Sequence, residues 1–162
     1  MSNVIRIGNC SGFYGDRLDA AREMVEGGPI DVLTGDYLAE LTMSILYNQQ
    51  QTRGKDTGYV GTFLKQVQDV AALCSEKNIK IVANAGGLNP RSMAMEVEKI
   101  LDALGLDLKV AYIDGDNLLP DLDQLQSDGE SFTNLDTQQH LKDSDQKALT
   151  ANAYLGGWGI KE

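Results

Sequence analysis

Four short apolar runs constrain the fold more than any other feature: VIRI at 4–7, DVL at 31–33, IKIVA at 79–83 and KVAYI at 109–113. They are rich in β-branched residues and too short to be independent helices, so they read as buried strands. Between them lie segments with apolar residues at helical spacing. These are Leu18, Ala21 and Val25; Leu38, Leu41 and Ile45; and Phe63, Leu64, Val67, Val70, Ala71 and Cys74. A last set, Met93, Val97, Ile100, Leu101 and Leu104, follows the third run. Gly27-Gly28, Asn78 and Gly105 stand where helices take a left-handed stop, and Asn89-Pro90 supplies an N-cap followed by proline at the first helical position. Strand and helix alternate through residue 113, which predicts an α/β fold: a mostly parallel sheet joined by right-handed crossovers, with helices on both faces.

A chain of 162 residues is the length of one ordinary domain. The expected organisation is a single α/β domain over 1–162. Four strand-helix units occupy 1–113, an acidic loop or hairpin region 114–145, and the start of an incomplete further unit 146–162. The acidity is uneven: residues 114–145 hold nine Asp and Glu against one basic residue, Lys142, while the rest of the chain is nearly balanced. A formal charge of -10 without a basic cluster argues against nucleic acid and anionic membrane surfaces as partners. No apolar run approaches the roughly 20 residues of a membrane span. Cys10 and Cys74 are two isolated thiols, which fits a reduced cytoplasmic setting. Trp158, in the glycine-rich stretch LGGWGIKE, is a candidate contact with another chain.

In an open parallel sheet, ligands gather at the carboxyl ends of the strands. The four loops there read GNCSGFYGDR, TGDYLAE, NAGGLNPRS and DGDNLLP, each combining glycine with Asn, Asp or Ser. Gly86 and Gly87 let backbone or ligand approach closely, and the helix opening at Pro90 offers amides to an anion, with Asn89 capping and Arg91 adding charge. Turn geometry alone also explains these two glycines. No segment carries the dinucleotide or Walker spacing, so neither NAD nor ATP is expected. Cys10 and Ser11 lack the nucleophile elbow, and the only histidine, His140, lies far off in the acidic region, where an exposed polar role suits it best. Asp114 and Asp116 open like a calcium loop, but Leu119 and Leu125 occupy its required glycine and glutamate positions. One histidine and no paired cysteines cannot make a usual zinc set. Asp36 and Asp116 are the candidates for proton transfer or for a divalent metal such as Mg²⁺, because carboxylates are the only general-base type repeated around the edge. Ser11, Asp16, Asn84, Gly86, Gly87 and Asn89 are the candidate substrate-binding residues, with Tyr37 as a pocket wall.

The ordered segments RIGNCSGFYGDR, DVLTGDYLAELTM, NAGGLNP, VAYIDGDNL and ANAYLGG resemble the N-terminal portion of the acyclic terpene utilisation AtuA family. The resemblance runs from Arg6 to Gly157. It implies a place in the breakdown of branched or terpenoid acids as coenzyme A thioesters. Members of that family continue beyond the ANAYLG segment, which leads to the expectation of a homo-oligomer or a complementary second subunit. The leading expectation is an enzyme, or enzyme subunit, that binds an anionic acyl substrate at the sheet edge, with lyase, hydratase and hydrolase chemistry all open. The alternative is a noncatalytic binding or assembly subunit of a split enzyme.

Overall fold

The computed structural model describes residues 4–161. The chain folds as two compact units, one ending at Ile113 and the other beginning at Asp114. That break falls where the excess of acid begins.

The first unit is α/β with a parallel sheet, as the alternation of apolar runs dictates. Its elements in order are β1 (Ile7–Asn9), α1 (Ala20–Gly27), β2 (Val32–Gly35), α2 (Glu40–Arg53), α3 (Gly61–Lys77), β3 (Lys80–Ala83) and α4 (Pro90–Ala103). The strands lie side by side in chain order, all parallel. Register pairs Ile7 with Val32 and Val32 with Lys80; one step along, Gly8, Leu33 and Ile81 pair. Paired residues of parallel strands share a face.

Leu33 and Ile81 pack with Ala21 and Val25 of α1 and with Val70 and Cys74 of α3, so those helices cover that face. Two right-handed crossovers taken in the same direction across a sheet leave both connections on one side. For the helices expected on both faces, this unit supplies one layer. The opposite face carries Ile7, which is 66 % exposed, with Val32 and Val82 beside it half-buried.

Several expected details shift. The first strand starts at Ile7 rather than spanning Val4–Ile7, because its register with β2 begins there and the chain before it offers β2 only the Arg6 carbonyl. The run Lys109–Ile113 forms no strand; Val110 is half-buried against the core, but without a neighbouring ladder an apolar run stays irregular. Helix α2 buries Thr42 and Leu46, whereas Leu41 and Ile45 of the expected stripe face outward. What decides its rotation is Leu46, fully buried in a cluster with Val60, Phe63 and Ala85. Asn78 closes α3 in the left-handed conformation with φ 56°, and Gly105 follows α4 at φ 69°. Gly28, by contrast, ends α1 extended. Asn89 caps α4 as expected, its Oδ1 accepting from the Ser92 amide at 3.0 Å, with Pro90 at the first helical position.

The second unit holds short elements: a 3-10 turn (Leu119–Asp121) running into α5 (Leu122–Ser127), a second 3-10 turn (Leu141–Asp143) and α6 (Trp158–Lys161). A single antiparallel bridge between Asn117 and Asn152 ties its two ends. Trp158 is exposed, and the Lys161 ammonium lies 5.7 Å from its ring centre.

Replacing Leu46 by alanine empties the contact that orients α2. The expected cost is about 2–5 kcal/mol, measured as a lowered urea midpoint with an unchanged slope; a loss below about 1 kcal/mol means that α2 is held in some other way.

Candidate functional site

Local chemistry brings three expected residues together at the carboxyl end of β2. The main-chain amide of Asp36 donates to the Ser11 carbonyl at 2.9 Å, joining the first two loops. The side chain of Asn84, just past β3, works in two directions. Its Nδ2 donates to Asp36 Oδ1 at 2.6 Å, and its Oδ1 accepts from the Tyr37 amide at 2.8 Å. A primary amide supplies both a donor and an acceptor, which is what this position uses. Asp36 and Asn84 are both exposed, so the carboxylate is held in place yet open to solvent.

Ser11 and Asp16 each bond within their own loop. Ser11, 2 % exposed, donates its hydroxyl to the Phe13 carbonyl at 3.0 Å. Asp16 accepts from the amides of Gly12 at 3.0 Å and Arg17 at 2.8 Å, which hold its carboxyl below the ordinary carboxylate value. The Arg17 guanidinium is paired with Glu23 and Asp19, and both raise its pKa. A groove of about 560 Å³ runs beside β1 and α1, lined by Asn9, Ser11, Asp16, Arg17, Glu23 and Met24 among others. Asp36 and Asn84 do not line it.

Several amides of the glycine loop bond within the fold. Gly87 donates to the Asn84 carbonyl, Leu88 to the Gly58 carbonyl at 2.8 Å, Asn89 to the Gly86 carbonyl at 2.9 Å, and Ser92 to the Asn89 side chain. The glycines serve packing. Gly87 has φ 54°, and a Cβ there would collide with Leu46 and lie 2.8 Å from the Gly58 carbonyl; a Cβ on Gly86 would lie 2.6 Å from Pro90. Asn89 Nδ2 reaches across to the Lys55 carbonyl at 3.0 Å. These residues shape the wall next to Asn84.

Asp116 lies in the second unit, where its Oδ2 accepts from Asn152 Nδ2 at 3.0 Å and its carbonyl accepts from the Ala153 amide. His140 is exposed and pairs with the Thr133 hydroxyl at 3.0 Å. Among the described residues no three His, Cys, Asp or Glu side chains come together as a metal site. Burial raises the pKa of Cys10 and pushes that of Cys74 up to about 11, so neither is a ready thiolate at neutral pH.

Two residues take a role that the sequence reading did not give them. Tyr37, expected as a pocket wall, is 2 % exposed and lies in the core directly after Asp36, where burial raises its phenol pKa. Gln66, 4 % exposed, accepts from the Tyr37 hydroxyl at 2.6 Å. A usable signal existed: Gln66 falls on the apolar stripe of α3, three residues after Phe63 and four before Val70.

Taken together, these features define a parallel α/β protein with a held, solvent-facing carboxylate at the carboxyl edge of its sheet. The family model for acyclic terpene utilisation family protein AtuA matches residues 5–162, and the chain belongs to that family. Membership implies involvement in acyclic terpene utilisation. No curated protein and no solved structure matches the chain. Among the described residues no helix is long and apolar enough to cross a membrane.

The Asp16 turn makes the protein acid-sensitive in a stated direction. Its folded-state pKa is depressed, so its stabilisation is complete above the ordinary value of 3.8 and is lost as pH falls through the lower folded value. Thermal melts from pH 6 downward should show an acid-limb loss that shrinks in Asp16→Asn; identical limbs in both proteins contradict the assignment.

Proposed function

We propose that the chain is an enzyme or enzyme subunit that binds an anionic acyl substrate, a coenzyme A thioester of a branched acid, at the carboxyl edge of its sheet, with Asp36 as the proton-transfer group. The observation that carries this reading is the 2.6 Å hydrogen bond from Asn84 to an exposed Asp36. A carboxylate fixed by an amide on one oxygen and open to solvent can take a proton from a substrate carbon or from water. That step is common to lyase, hydratase and hydrolase chemistry. Family membership supports the substrate class. Gly86, Gly87 and Asn89 take part as the frame that holds Asn84, and Ser11 anchors the backbone of Asp36. The exposed side chains of Arg91 and of Lys55, whose carbonyl accepts from Asn89, supply the positive charge for the anion.

Asp36→Asn keeps an oxygen for Asn84 to bond while removing the base. Turnover of a methyl-branched acyl coenzyme A thioester should fall at least about 100-fold, with stability changed by no more than about 0.5 kcal/mol. Full turnover in the variant, or no binding of the thioester by the unaltered protein in calorimetry, defeats the reading.

One observation favours the second reading, an assembly subunit. The sheet face opposite α1 and α3 leaves Ile7 66 % exposed, and Ile5 before it is exposed to the same extent. Such apolar surface is typical of contacts between chains. Ile5→Asp with Ile7→Asp should then lower the sedimentation coefficient without unfolding the protein; a monomer before and after substitution speaks against assembly through this face.

A further inference from the structure

Two polar side chains occupy positions where apolar ones would fill the same space. Tyr37 packs with Phe63, Val67 and Ala71, its ring meeting Phe63 edge-on at 5.7 Å. Its hydroxyl donates to Gln66 Oε1 at 2.6 Å, and Gln66 Nε2 donates to the Arg17 carbonyl at 3.3 Å. The cavity beside the pair measures about 10 Å³, the lower limit of what holds one water, so either partner left alone has almost no solvent to turn to. Gly35 makes the arrangement fit, because a Cβ there would lie 2.6 Å from the Tyr37 ring. The backbone of Tyr37 is bonded as well: its amide donates to Asn84 Oδ1, and its carbonyl accepts from the Thr42 hydroxyl at 3.1 Å.

A phenylalanine and a leucine would fill this part of the core without the risk of an unpartnered buried polar atom. What the polar pair adds is direction: the hydrogen bond forms at one ring orientation, where apolar packing tolerates several. We infer that Gln66 is a positioning residue for the rim: by fixing the Tyr37 ring it fixes the backbone at 36–37, so that Asn84 holds the Asp36 carboxylate in one orientation. The bonds form an unbroken series from the Arg17 carbonyl through Gln66, Tyr37 and Asn84 to Asp36. The inference rests on Asp36 as the working carboxylate, yet its readout requires no substrate.

The test compares Tyr37→Phe, Gln66→Leu and the double substitution by hydrogen exchange of the main-chain amide at position 37, with those of Leu33 and Gly35 as internal references. NMR of the Asn84 side-chain amide is recorded in parallel. The double variant removes both polar partners, so it folds even where Gln66→Leu alone leaves the buried Tyr37 hydroxyl with only the Cys10 sulfur, 3.9 Å away. The expected result is exchange at position 37 accelerated at least tenfold over the two references, with the Asn84 amide resonances moved toward free-solvent positions. Equal acceleration at all three amides, or unchanged Asn84 resonances, overturns the inference and leaves the pair as core packing. An Asp36→Asn protein with full turnover would defeat the catalytic reading while leaving this exchange result standing, so the two failures are distinguishable.

Discussion

One asparagine side chain holds the carboxyl edge of the sheet in the first unit together. Asn84 leaves β3 and spends its carbonyl on the Tyr37 amide and its NH₂ on the Asp36 carboxylate. Both bonds span nearly fifty residues of sequence, so they exist only because β2 and β3 are neighbours in register. Ser11 adds the first loop through its carbonyl. An aspartate at Asn84 would lose the donor and set two carboxylates against each other; a leucine would lose both bonds. The edge therefore depends on a side chain that is donor and acceptor at once.

Behind Asn84, the glycine loop is a joint of the fold. Val60 donates to the Ala85 carbonyl and Leu88 to the Gly58 carbonyl, so residues 58–60 and 85–88 clamp each other. Leu46 fills the space a side chain on Gly87 would need. A loop clamped in this way is rigid, and rigidity here benefits whatever Asn84 holds. The same glycines in isolation are compatible with either role, because a Cβ-free residue suits a close ligand and a close helix equally.

The sheet is served by one helical layer in this unit, a consequence of strands that follow one another in chain order. Ion pairs secure that layer at its surface: Arg22 of α1 meets Asp69 of α3 at 2.5 Å and also bonds its carbonyl. Lys77 reaches back to the Val25 carbonyl at 2.8 Å, satisfying an end group of α1.

Much of this was legible in the residues themselves. The alternation of β-branched runs with helical spacing gave the α/β class, Asn89-Pro90 gave the start of α4, and the polar strand ends gave Asp36 and Asn84 as site candidates, because these depend on periodicity and local backbone preference. Less legible were the failure of Lys109–Ile113 to pair, the rotation of α2 toward Leu46, and the use of the loop amides, since each depends on a partner distant in sequence. Tyr37 and Gln66 belong to the same group: a polar residue on an apolar stripe signals a buried bond, but not with whom. Sequence alone determined the alternation of strands and helices through α4 and which side chains stand at the strand ends. Tertiary structure decided which of those side chains touch, because a hydrogen bond requires two atoms about 3 Å apart and only packing brings residues 36, 37, 66 and 84 that close.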